Sequence, residues 1–181
     1  MPSSTPPLPA SLGRMVFVVR ALCVLGLVTL LTVPFWFWLS PANVLALGPQ
    51  MVGVNNLVVD DRARALGAAV SVLPIGVGLF ALWQLWQLFA EYGAGRVFGR
   101  VAQARLKRFA WALLVVALLA PLVRAAMSVV LTLGNPPGQR MLAISLSWND
   151  YLAVLLAAVL IAIATVMAEA VRVAEENEGF V

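Results

Sequence analysis

The side chains able to do chemistry in this 181-residue chain are few: 12 Lys and Arg, 8 Asp and Glu, a single Cys and no His. Without His, imidazole general-base catalysis and His-based metal sites are excluded. One thiol, Cys23, permits neither an intrachain disulfide nor a Cys cluster, and inside an apolar run it reads as a small buried hydrophobe. No Ser, Cys or carboxylate pair stands beside a base, as nucleophilic or acid–base catalysis requires. An enzyme is therefore not expected, and no cofactor or metal is implied. What remains is recognition of charge by charge. The cations gather at Arg96, Arg100, Arg105, Lys107 and Arg108, and the anions at Glu169, Glu175, Glu176 and Glu178.

On a helix starting near Arg96, residues Arg96, Arg100, Gln103 and Lys107 fall at i, i+4, i+7 and i+11, on one face. Val97, Phe98, Val101 and Ala104 fall opposite. The spacing predicts a short basic amphipathic helix lying in the headgroup layer, with the stems of Arg105 and Arg108 snorkelling at the membrane entry. Gly93 and Gly95 free the chain to turn just before it. Arg96, Arg100, Lys107 and Arg108 are the candidate contacts for anionic lipid headgroups, worth about 1 kcal/mol per basic residue near the surface. A soluble cytoplasmic protein is the other partner this loop would suit. In the acidic segment, Arg172 can pair with Glu175 or Glu176 at i+3 and i+4. The remaining acid is available to the basic loop as a weak, salt-sensitive tether, so Glu175 and Glu176 complete the candidate contact set.

These charges must be held by something, and composition says what. Hydrophobic types make up 62% of the chain and charged types 11%, against about 45–50% and about 25% in soluble domains. So little charge cannot cover a soluble surface, and so much apolar content excludes disorder. The expected architecture is an all-α membrane protein: a bundle of four transmembrane helices over 15–39, 65–90, 109–133 and 151–168. Each run matches a hydrocarbon core of about 30 Å. A cleaved leader fits the first run poorly, because that run is long and closes on Pro34-Phe35-Trp36-Phe37-Trp38 rather than small residues. Residues 1–14 read as a disordered tail, 91–108 as a basic loop and 169–181 as an acidic tail. Together, 15–181 form one domain.

Lys and Arg set the orientation. Eight lie on the side of the termini and the 91–108 loop; Arg62, Arg64, Arg124 and Arg140 lie on or near the other. The bias places both termini in the cytoplasm, with the protein in the cell inner membrane. This segregation by loop is topological, and no direct nucleic-acid contact is expected. Trp36, Trp38 and Trp148 fall near outer ends, and Trp83, Trp86 and Trp111 near inner ones, as rings at headgroup level would.

Several residues interrupt the apolar runs. Pro34, Pro74 and Pro121 each remove a backbone donor. They bend helices around a bundle or, where they meet, open a pocket for lipid or a small ligand. Arg124 lies about 22 Å into its span, within reach of the outer headgroups or of Asp60, Asp61 or Asp150. Gln84 and Gln87 suit hydrogen bonds between helices, and Gly76 and Gly78 allow close helix approach.

The outer loops carry a second pattern. In Arg140–Trp148, Leu142, Ile144, Leu146 and Trp148 alternate with Met141, Ala143, Ser145 and Ser147. Period two is a strand signature. Asn135-Pro136-Pro137-Gly138 precedes it as a turn, and Asn149-Asp150 follows as a helix cap. Asn43–Leu47 and Met51–Val54 read as two further strands around Gly48-Pro49. Together they predict a small extracytoplasmic β-cap.

The stretch Leu82–Phe98, with Leu82, Leu85, Leu88 and Phe89 followed by Tyr92, Gly95 and Phe98, carries a recognisable pattern, as does the closing segment Ala168–Val181. With four spans, the chain resembles the bacterial inner-membrane family known as domain of unknown function 2975. The resemblance implies a four-helix integral membrane protein and no catalytic residues. Members often lie beside small helix-turn-helix regulators, a neighbourhood that points to a regulatory role. The leading expectation is a non-enzymatic binding or regulatory membrane protein that uses its charged cytoplasmic segments. The alternative is a small transporter or channel subunit, weakened because no carboxylate lies mid-span.

Overall fold

A computed structural model describes residues 10–52, 58–97, 99–136 and 138–178. Its regular structure is helical throughout: α1 (Ala10–Leu39), α2 (Pro41–Val52), α3 (Asp61–Gly93), α4 (Arg100–Thr132) and α5 (Trp148–Glu178). Each expected span coincides with part of a longer helix, the third overrunning the end of α4 by the single residue Leu133, and α1, α3, α4 and α5 are all long and apolar enough to cross a membrane. The 33 residues of α3 or α4 rise about 50 Å, well beyond a hydrocarbon core of about 30 Å. Both ends therefore project into the headgroup layers, where the charges sit. Helix α1 begins earlier than its apolar run, so residues 10–14 are helical rather than part of a disordered tail. The rest of that tail, 1–9, lies outside the described residues.

The four long helices pack in chain order. Helix α1 lies on α3, α3 on α4, and α4 on α5, while α2 bridges α1 and α4. Small residues are buried where the long helices meet: Ala63, Gly67 and Ala81 on α3, with Gly67 against Trp38 of α1, and Ala102, Ala110, Ala112 and Ala117 on α4. Gly78 brings α3 close to Leu30 of α1, whereas Gly76 faces open space. An apolar cluster sits at the α2 end: Phe37, Val44, Met127 and Leu131, with Trp38, Val59, Val70 and Val123 against it.

The β-cap is not formed. Residues 41–52 make a helix: Pro41 takes the first helical position, where its missing N–H costs nothing, and the carbonyl of Ser40 accepts from the amides of Asn43 and Val44. Val44 is fully buried while Leu45 is exposed; a turn of helix, rather than alternation, selects the inward residue. Of the two strands expected there, 53–54 lie outside the described residues and the rest is helical. Residues 139–147 have no regular structure and pair with no strand among the described residues. Their backbone bonds side chains of α4 instead: the amide of Met141 donates to Thr132 Oγ1 (3.2 Å) and that of Ala143 to Ser128 Oγ (2.9 Å). The period-two row does exist, but Leu142, Ile144, Leu146 and Trp148 point away from the protein, Leu146 being 81% exposed. In a membrane protein an apolar row can face lipid, so alternation no longer identifies a protein core.

The loops at this end are nonetheless joined. Asn135 Oδ1 accepts from the amide of Val58 at 2.9 Å, and Gly134 lies so close that a Cβ there would meet the Val58 carbonyl oxygen at 2.2 Å.

Candidate functional site

The charged end of the bundle is built by the α3–α4 turn. The amide of Ala94 donates to the carbonyls of Ala90 and Glu91, and Gly95 adopts φ +79°, closing the turn as glycine permits. Arg96 stands in this turn, and its Nε donates to Glu91 Oε2 at 2.6 Å. That hydrogen bond, helped by the charges of Arg96 and Arg105, holds the Glu91 carboxyl below the usual range. The same bond raises Arg96.

The separate basic helix expected from Arg96 is replaced by the first turns of α4, in a different phase. Arg100 and Lys107 are exposed as expected, but Gln103 is only 4% exposed and Val101 and Ala104 face outward. Packing of Ala102 and Ala110 against neighbouring helices sets the inward face, and a continuous 33-residue helix cannot rotate its first turns independently. Phe98 lies outside the described residues. Arg105 turns inward, its Nη1 donating to Oε1 of buried Gln84 at 3.0 Å. Gln84 thus makes the interhelical bond expected of it. On α1, the guanidinium of Arg20 stacks on Trp86 at 3.9 Å from the ring centroid.

Lys107 and Arg108 are exposed and hold no acid among the described residues. They stand with Trp111 at a groove of about 550 Å³ between α3 and α4 that continues over Phe80, Val77 and Val115. Helices α4 and α5 run antiparallel, so residues 175 and 176 reach the same end of the pair as Arg100. Arg172 is clasped by its own helix, through Glu169 and through Glu176 at i+4. The side chain of Glu175 lies outside the described residues. Of the candidate contacts, then, Arg96 and Glu176 have local partners, and Lys107 and Arg108 are open.

The opposite end holds residues the sequence did not single out. Arg64 of α3 donates to the last carbonyls of α1: Nε and Nη2 to Trp38 (3.3 and 3.0 Å) and Nη2 to Leu39 (2.9 Å). A cation at a helix C-terminus satisfies orphan carbonyls and opposes the dipole. Arg64 four residues beyond Asp60 was a findable signal only with the α1–α3 packing known. Ser147 is the other. Its Oγ accepts from the Asp150 amide (3.3 Å), while Asp150 Oδ2 accepts from the Ser147 amide (2.7 Å), a reciprocal cap opening α5. The same Asp150 carboxylate pairs with Arg124, the partner chosen from the three acids considered. Between α1 and α4 lies a cavity of about 370 Å³, lined by Pro34 and Pro74 but not Pro121. Among the described residues, no group of three or more His, Cys, Asp or Glu comes together as a metal would need.

Four helices long and apolar enough to cross a membrane define a multi-pass membrane protein. Residues 59–180, well over half of the chain, match the family described as Protein of unknown function (DUF2975). The chain belongs to that family. The match covers α3, α4 and α5; α1 and α2 precede it. No curated protein and no solved structure matches the chain.

Proposed function

We propose that the protein is a non-enzymatic binding protein of the inner membrane, regulatory in role, with both termini and the α3–α4 turn in the cytoplasm. Its working surface is the charged end of the bundle. Lys107 and Arg108 take the phosphates of anionic lipid, and Arg100 with the 169–178 segment offers a contact to a soluble partner. The observation that carries this reading is the company Lys107 and Arg108 keep: two uncommitted cations beside Trp111, above an apolar groove. A lipid with an anionic headgroup and acyl chains has that same order of charge, interface and hydrocarbon.

Mass spectrometry of lipid retained through mild-detergent purification tests it. Anionic phospholipid is expected to be enriched over its share of the membrane, and the enrichment is expected to disappear in Lys107→Gln with Arg108→Gln. Retention unaltered by the double substitution counts against the lipid contact. Solute flux in proteoliposomes would instead favour a small transporter or channel subunit.

A further inference from the structure

The cavity at the α2 end is walled by Phe37 and Trp38 of α1, Leu47 of α2, Pro74 and Ile75 of α3 and Met127 of α4. Its volume, about 370 Å³, falls in the range of small-molecule sites. Pro34 of α1 and Pro74 of α3 both line it, so the two helix prolines meet there. Water is a poor occupant, because a buried water needs two or more polar partners. The hydroxyl in the wall, on Ser71, is already used twice: it donates to the Gly67 carbonyl (2.9 Å) and accepts from Trp38 Nε1 (3.0 Å). An empty void would leave its aromatic lining without dispersion contacts. Hydrocarbon is the solvent at this depth and the matching filler.

One charged residue is among those lining the cavity, Arg124, whose apolar stem faces an almost wholly apolar wall. Its Nη2 donates to the Ser145 carbonyl and to Asp150, while Nε and Nη1 make no hydrogen bond to any described residue. A guanidinium presents five donors and binds carboxylate or phosphate well. An apolar chamber with one cation whose donors are partly unused fits a molecule with a long apolar chain and an anionic head. We propose that this cavity binds the hydrocarbon chain of an anionic amphiphile, with its carboxylate or phosphate at Arg124. The site is at the opposite end from the lipid contact proposed above and rests on separate residues.

Photolabelling of the full-length protein in proteoliposomes tests the proposal. The probes are palmitic acid carrying a diazirine in its chain and phosphatidylglycerol carrying the same acyl group, with adducts mapped by mass spectrometry. Adducts are expected on Phe37, Trp38 or Met127. They are expected to fall by roughly tenfold when Ile75→Trp fills the cavity, the change a displaced apolar segment of two methylenes or so would produce. Adducts on Leu156, exposed on α5, should stay constant. Unlabelled palmitate should compete roughly tenfold better than unlabelled hexadecanol, which has the chain without the charge. Labelling by the free acid alone, or by the phospholipid as well, identifies the source of the chain, and either supports the site. Equal competition by palmitate and hexadecanol overturns the proposal. So does cavity labelling that responds to Ile75→Trp no more than Leu156 does. If Ile75→Trp does not fold, the competition on the unsubstituted protein decides by itself.

Discussion

Asp150, in the first turn of α5, holds two things with one carboxylate: the guanidinium of Arg124 on α4 and the amide and hydroxyl of Ser147, which opens its own helix. The start of α5 and its docking on α4 are thereby fixed by the same atoms. Ser147→Ala removes the cap alone and is expected to cost about 1 kcal/mol. Asp150→Ala removes cap and ion pair and leaves Arg124 uncompensated, so its melting temperature in detergent should fall further than that of Ser147→Ala. Adding Arg124→Leu to Asp150→Ala should recover part of the loss, since an apolar pair replaces a stranded charge. Additive losses in the double variant would show that the two residues are not coupled.

The glycines separate by what stands beside them. A Cβ at Gly134 would meet the Val58 carbonyl, backbone that cannot turn aside; at Gly67 it would meet Trp38 Cη2 at 2.1 Å, the end of a ring pinned by its bond to Ser71. At Gly76 it would meet nothing within 4 Å. Gly134→Ala and Gly67→Ala should each destabilise by about 1–3 kcal/mol through overpacking. Gly76→Ala should be neutral or stabilise by about 0.5–1 kcal/mol, as in any open helix. Thermal unfolding of the three variants in one detergent is the measurement. Equal behaviour would mean that the close approaches at Gly67 and Gly134 are absent.

The turn between α3 and α4 should loosen in acid. The Glu91 carboxyl is lowered by Arg96, so this contact stabilises the folded turn fully above the ordinary glutamate range, about 4.3, and is lost as pH falls through the lowered folded value. Hydrogen exchange of the amides of Ala94, Gly95 and Arg96, corrected for the intrinsic pH effect, should be flat near neutrality and speed up below about pH 4. In Glu91→Gln that acid-side rise should be missing.

The topology proposed from the Lys and Arg bias can be read from outside intact cells. Cys introduced at Gln139 should react with a membrane-impermeant maleimide, and Cys introduced at Ala94 should react only after permeabilisation. The native Cys23 is buried at 4% exposure and contributes little background. The reverse pattern at both positions would invert the orientation and move the charged end outside.

Four spans were legible in the sequence because lipid imposes a requirement on each segment separately. About twenty apolar residues must run without charge, and the backbone must bond within its own helix. The family pattern in Leu82–Phe98 was likewise local. Arg172 with Glu176 and the Gly95 turn were within reach for the same reason, since each involves neighbours in the chain. The β-cap failed because alternation implies a buried face only where the other face meets water, and Leu142 to Trp148 face neither core nor strand.

Which way α4 turns its first residues, which acid Arg124 finds, and that Pro34 and Pro74 open one chamber with Arg124 on its wall were decided by tertiary packing. Arg64 capping α1 and Asn135 holding Val58 belong with them. Each is a contact between segments far apart in the chain, and helix periodicity gives a face to every residue without saying which neighbour that face will meet.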